Sequence, residues 1–182
     1  MGYALARAAR EAGAEVCLIT GPTSLVIPQG VRSIPIVTTA DLAAAVQAEF
    51  ATCDALIMAA APADFRPQVM VGSKIKRGDG PLALQLEPTE DILRGLAGKR
   101  RPGQVVIGFA LETDDAEKNA RRKLADKQLD MIVLNVPGPD SGFDTKTNRV
   151  SIIHPKRRTL ALPLMSKDEV AERIVAEMAK LL

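Results

Sequence analysis

Residues 105–135, VVIGFALETDDAEKNARRKLADKQLDMIVLN, read as one strand–helix–strand unit and set the fold class. Val105 to Phe109 is a short apolar run beside Gly108, Asp115 to Lys127 is a charged helical segment, and Met131 to Asn135 is a second apolar run. Short apolar strands alternating with helices argue for a parallel sheet covered on both faces. The same rhythm extends toward the amino end. A helix spans GYALARAAREAGAE, with Leu5, Ala8, Ala9 and Ala12 on one face, and strands follow at Val16 to Thr20 and Ser33 to Val37. Next come a helix from Ala40 to Phe50, introduced by Thr39 with Leu42 and Val46 inward, a strand from Ala55 to Ala60, and a helix from Thr89 to Ala97.

Toward the carboxyl end the rhythm breaks. RVSIIHP and RTLALPL flank the turn-like Lys156, Arg157 and Arg158 and read as an antiparallel pair. Ser166 and Glu169 form an S-x-x-E capping box opening a last helix, with Val170, Ile174, Met178 and Leu181 at helical spacing. The expected fold is a single α/β domain over residues 1–182, a three-layer α/β/α Rossmann-like arrangement with a mostly parallel sheet and an antiparallel C-terminal edge. A parallel sheet of this kind normally opens with a strand, whereas this chain opens on a helix. The expectation is therefore that the first strand is missing and the chain begins partway into a domain.

The 182 residues, 47% hydrophobic and 25% charged, suffice for one core. With 24 basic and 22 acidic residues the net charge is +2, so the overall field argues for neither nucleic acid nor a membrane surface. Cys17 and Cys53 lack metal-site spacing and read as reduced, buried thiols of a cytoplasmic protein. No apolar stretch approaches the length of a membrane span.

The site is sought at ALIMAAAPADFR, residues 55–66, where an apolar run opens into small residues, a proline, Asp64 and Arg66. In open α/β sheets ligands sit beyond the carboxyl ends of strands. The basic stretch GSKIKRGDG follows, with Lys74 and Lys76 flanked by Gly72, Gly78 and Gly80. It reads either as a flap closing over an anion or as a solvated hairpin kept soluble by lysines. Asp64 can accept from a ribose or base amine, approach a magnesium ion that bridges phosphates, or form a local turn. Arg66, extended before Pro67, can face an anion or make a surface ion pair. Lys123 and Lys127 share a helix face, and Phe109 can stack on a ring or fill the core.

The loop NVPGPDSGFDTKTN is long enough to be a binding loop, with Asn135 and Asn148 as amides for a ligand or for the loop backbone. His154, the only histidine, has no serine or cysteine in a triad pattern. A nicotinamide oxidoreductase would need a G-x-G-x-x-G fingerprint and an acid at the end of its second strand, whereas this chain lacks the fingerprint and has Thr20 and Gly21 there.

Eight motifs in order, MGYALA, ITGPTSL, AAAPADFRP, SKIKR, EDIL, GFALET, ARRKLADKQLDMIVLN and GFDTKTN, resemble phosphopantothenoylcysteine synthetase. The resemblance is to the bacterial CTP-dependent type, usually fused behind a flavin-dependent decarboxylase, and covers essentially the whole chain. It implies a ligase of coenzyme A biosynthesis that joins 4'-phosphopantothenate and L-cysteine through an acyl cytidylate, using CTP and Mg²⁺. By position it implies that Met58, Ala59 and Ala60 line the nucleotide pocket, that Asp64 binds the cytidine, and that Lys74 on the flap is catalytic at the phosphates. It also implies CTP contacts from Glu87, Pro88, Thr89, Glu90, Phe109, Lys123 and Lys127, and a homodimer; it assigns no metal ligand. The chain departs from the family at EPTE, where relatives often carry a basic or amide residue before the proline. It also lacks the family's amino-terminal strand, glycine-rich turn and substrate-binding arm, which implies a weakened phosphopantothenate site and a fragment inactive alone.

Overall fold

A computed structural model describes residues 1–77, 80–135, 138 and 145–182. Gly78 of the basic stretch and residues 136, 137 and 139–144 of the long loop, including Phe143, lie outside the described residues.

In chain order the elements are α1 (Gly2–Glu11), β1 (Cys17–Thr20), β2 (Arg32–Pro35), α2 (Thr39–Phe50), β3 (Ala55–Met58), β4 (Phe65–Pro67) and β5 (Leu86–Pro88). There follow α3 (Ile92–Leu96), which tightens into a 3₁₀ turn over Ala97–Lys99, β6 (Val105–Leu111), α4 (Ala116–Asp126) and β7 (Met131–Asn135). Last come β8 (Thr147–Asn148), β9 (Val150–Ile153), β10 (Leu160–Ala161), β11 (Met165–Ser166) and α5 (Lys167–Ala179).

The central sheet has the order β10-β9-β7-β6-β3. β3, β6 and β7 run parallel, with Met58 opposite Gly108 and Leu111 opposite Asn135. β9 and β10 add the antiparallel edge read from the sequence. β1 and β2 form a separate parallel pair. Continuous apolar strands arise because both faces are covered. On one face Val105, Ile107, Met131 and Val133 meet α1 and α5 through Leu5, Ala9, Val170 and Ile174. On the other, Val106, Ala110, Ile132 and Leu134 meet α2, α3 and α4 through Leu42, Val46, Leu93 and Leu124. The mostly parallel, three-layer α/β reading is thereby realised.

Gly108 is required where the second face is tightest. A Cβ there would lie 2.7 Å from Leu129 Cδ1 and 3.5 Å from Leu93 Cδ1. The capping box of α5 forms as read: Glu169 N–H donates to Ser166 Oγ at 3.2 Å, and Ser166 N–H donates back to Glu169 Oε2 at 2.9 Å.

Four local readings need correction. α2 is capped by Thr38, not Thr39, because Asp41 three residues on completes the reciprocal box with Thr38. The helix expected from Thr89 begins only at Ile92, since Asp91 takes the capping role by accepting from Arg94 N–H at 3.2 Å. Two short antiparallel pairs, β4 with β5 and β8 with β11, were not anticipated at all. Cys17 and Cys53 are half-buried rather than buried, and burial pushes both thiols above their ordinary range.

Candidate functional site

The carboxyl ends of β3, β6 and β7 form an open edge, and two sequence-distant segments are fastened there. β3 ends at Met58, buried against the α2–α3–α4 layer, while Ala59 packs toward α1 and α5 and Ala60 is exposed. The chain then turns through Asp64 into β4. Opposite it, Thr89 closes β5: its N–H donates to Asp64 O at 2.9 Å and its hydroxyl donates to Ala63 O at 2.6 Å. Asp64 and the Glu87 to Glu90 stretch are thus brought together by backbone and hydroxyl bonds, and the Asp64 side chain stays exposed. Thr89 is a fastener here, which explains why it does not start the helix.

Arg66 takes the ion-pair option left open by the sequence. It stands opposite Glu87 in register, and its guanidinium lies 2.7 Å from Glu87 Oε1. The departure at Glu87 from a basic or amide residue therefore has a cross-strand complement. Glu90 faces back toward α2, where its Oε1 accepts from Gln47 Nε2 at 3.2 Å.

The two lysines of α4 go to different carboxylates. Lys123 Nζ lies 2.5 Å from Glu112 Oε1, just past the end of β6. Lys127, the C-cap of α4, reaches Asp91, the cap of α3, at 3.1 Å. Both ammonium groups reach back toward the segments that follow β5 and β6, but not to one point. Phe109 is partly buried and packs against the α1–α5 side of the sheet, so it is at least in part a core residue. Lys74 and Lys76 are exposed and, among the described residues, make no ion pair.

Among the described residues, neither of two cavities of the structure is lined by Asp64, Lys74 or Lys123. One cavity of about 310 Å³ lies at the opposite end of the sheet, between Asp54, Arg101 and Leu182. Another of about 400 Å³ lies beside α4, lined by Arg121, Leu124 and Pro155. Of the residues that the resemblance implies at a nucleotide, Met58 is buried and Ala60, Asp64, Lys74 and Glu90 are exposed. His154 is buried, its Nε2 3.5 Å from Glu177 Oε2 of α5. Asn148 is buried and its Oδ1 accepts from Arg149 N–H at 3.0 Å, the loop-bridging option for that amide.

Sequence reasoning missed Glu112, Asp91 and the hydroxyl of Thr89. Asp91 carried a local signal, an Asp preceding an apolar helical turn. Glu112 and the Thr89 hydroxyl carried none, because their partners lie 11 and 26 residues away in unrelated elements.

Comparison with known proteins agrees with the eight motifs. The chain is 44% identical over 183 residues to the coenzyme A biosynthesis bifunctional protein CoaBC of Bacillus subtilis (strain 168), covering 100% of this chain and 45% of that protein. It is 43% identical to a cysteine/cysteine sulfinic acid decarboxylase of an unknown prokaryotic organism, covering 100% of this chain and 51% of that one. The chain spans about half the length of the curated relatives it matches. A crystal structure of the C-terminal domain of CoaBC superposes with a TM-score of 0.82 at 34% identity, over 99% of this chain and 82% of that one. The family described as DNA/pantothenate metabolism flavoprotein C-terminal domain matches residues 1–182 throughout, and the chain belongs to that family.

Proposed function

We propose that this domain is the CTP-dependent ligase that joins 4'-phosphopantothenate to L-cysteine in coenzyme A biosynthesis. The observation that carries the reading is the fastening of Asp64 to the Glu87–Glu90 stretch by Thr89, at the strand edge where Lys123 is also held. Residues that the family resemblance assigns to one nucleotide, and that lie far apart in sequence, share that edge. The domain match and the name of the Bacillus relative support the pathway.

In the proposed reaction the carboxylate of 4'-phosphopantothenate attacks the α-phosphorus of CTP and pyrophosphate leaves. The amine of cysteine then attacks the acyl carbon, CMP leaves, and the amide forms. Both steps ask the protein for alignment and charge neutralisation rather than a nucleophile of its own. Asp64 accepts from the nucleoside, the small residues Ala59 and Ala60 let the ligand approach the end of β3, and Lys123 neutralises phosphate. Lys127 adds to the same field, and Phe109 borders the edge. Lys74, free of ion pairs among the described residues, closes from the basic stretch onto the phosphates. Among the described residues no group of three His, Cys, Asp or Glu forms a metal cage. Mg²⁺ would come as part of the substrate, carried by the phosphates of CTP.

We place the domain in the cytoplasm, as a homodimer, beside a flavin-dependent decarboxylase acting on its product. Among the described residues no helix is long and apolar enough to cross a membrane. The test is pyrophosphate release from CTP, and from ATP for comparison, with and without 4'-phosphopantothenate, followed by CMP release on adding cysteine. Release that needs both CTP and phosphopantothenate supports the ligase. CTP binding without pyrophosphate release refutes it for this chain and leaves a nucleotide-binding module.

A further inference from the structure

We propose that Glu112 is a positioning residue that holds the Lys123 ammonium at the strand edge, ready for a phosphate; this rests on the nucleotide-binding reading above. An ordinary surface pair would be exposed on both sides and worth little. This one is asymmetric: the Glu112 side chain is 16% exposed and that of Lys123 43%. Glu112 Oε1 is itself buried, and its contact with the ammonium is an ion pair rather than an aligned hydrogen bond. Burying a carboxylate is costly unless a charge answers it, and Lys123 answers it here.

The backbone fixes where the acid stands. Glu112 directly follows β6, and its N–H donates to Asn135 O at 3.3 Å, which carries the β6–β7 ladder one step beyond the strand. Asn135 also presents a buried Oδ1 that has no partner among the described residues. An ammonium has three donors, and the 43% exposure of the Lys123 side chain leaves room for a second acceptor beside Glu112. Lys127 contrasts with it, because its partner Asp91 already serves as the cap of α3 and both side chains are partly exposed. That pair ties α4 to α3, whereas the Glu112–Lys123 pair leaves a cation held by a buried base.

A pinned lysine loses less freedom on meeting phosphate and is aimed before the ligand arrives. The same carboxylate repels phosphate in the bound ground state. The two effects oppose one another in affinity, so the loss on removing the charge is read in turnover.

The experiment compares the wild-type chain with Glu112→Gln, Lys123→Met and the double variant, in two assays. In the first, kcat and KM for CTP are taken from pyrophosphate release. Glu112→Gln lowers kcat by about tenfold with KM within about threefold, and adds no further loss in the Lys123→Met background, because it acts through that lysine. In the second, the rate at which Lys123 is acylated by an amine-reactive reagent is read by mass spectrometry without any substrate. It rises about threefold or more in Glu112→Gln. An unchanged acylation rate, or equal kcat losses in the two backgrounds, overturns the positioning role. A wild-type chain that releases no pyrophosphate refutes the ligase reading instead, and the acylation assay still decides whether Glu112 holds the lysine.

Discussion

Replacing Thr89 by valine tests whether the β4–β5 edge is held together as described. Valine keeps the shape and the backbone N–H that donates to Asp64 O, and removes only the hydroxyl that donates to Ala63 O at 2.6 Å. One net hydrogen bond is worth about 1 kcal/mol, within a range of roughly 0.5–1.5 kcal/mol. That converts to about a fivefold rise in the local opening equilibrium, roughly two- to twelvefold across the range. Neither core layer contains residues of β4 or β5, so the change in global stability stays below about 0.5 kcal/mol.

Native-state hydrogen exchange is the assay, read at the amides of residue 89 and of Gln68, which donates to Gln85 O at 3.0 Å across the same pair. Both exchange about fivefold faster in Thr89→Val, while amides of β6 and β7 do not change. Affinity for CTP falls by no more than the same factor, since only the fraction of molecules with a closed edge binds. Thr89→Ser restores both. Unchanged exchange at residues 68 and 89 refutes the fastening, and uniform acceleration of the core amides refutes its being local.

Three further outcomes follow from the fold. Ser166→Ala removes the hydroxyl that accepts from Glu169 N–H and lowers Tm by about 2–4 °C in a thermal melt, with α5 otherwise intact. Gly108→Ala forces a methyl to within 2.7 Å of Leu129 Cδ1, and Leu129, only 4% exposed, has no way to swing into solvent. It costs about 1–3 kcal/mol in urea unfolding, and a change below 0.5 kcal/mol would show that the sheet face accommodates the methyl. The hydrogen bond from Lys180 holds Glu177 below the ordinary glutamate value of 4.5, against the opposing push of burial. A depressed carboxylate stabilises the fold above its unfolded pKa and loses that contribution as the pH falls through its lower folded value. Unfolding midpoints measured from pH 6 down to pH 3 therefore fall less steeply in Glu177→Gln than in the wild type, and equal slopes would sink the assignment.

What the chain declares by itself is whatever repeats locally. Continuous apolar runs at 105–109 and 131–135 announce a sheet covered on both faces, and the structure buries them as two layers split by the pleat. The Ser166–Glu169 box announces the start of α5, because both partners lie within one turn. The candidate site residues were legible as motifs, but their arrangement was not. Thr89 and Asp91 carry the same local tendency to cap a helix, and only the approach of Ala63 assigned the hydroxyl of Thr89 to the β4–β5 pair and left the cap to Asp91. Arg66 had two plausible partners until strand register set it opposite Glu87. Glu112 was silent in the sequence and became a partner for Lys123 only when α4 folded back over the sheet. Periodicity and capping are written in neighbouring residues because backbone geometry repeats every two or 3.6 positions. Pairings over tens of residues follow from the path of the chain, and that path is set by how the two layers close on the sheet.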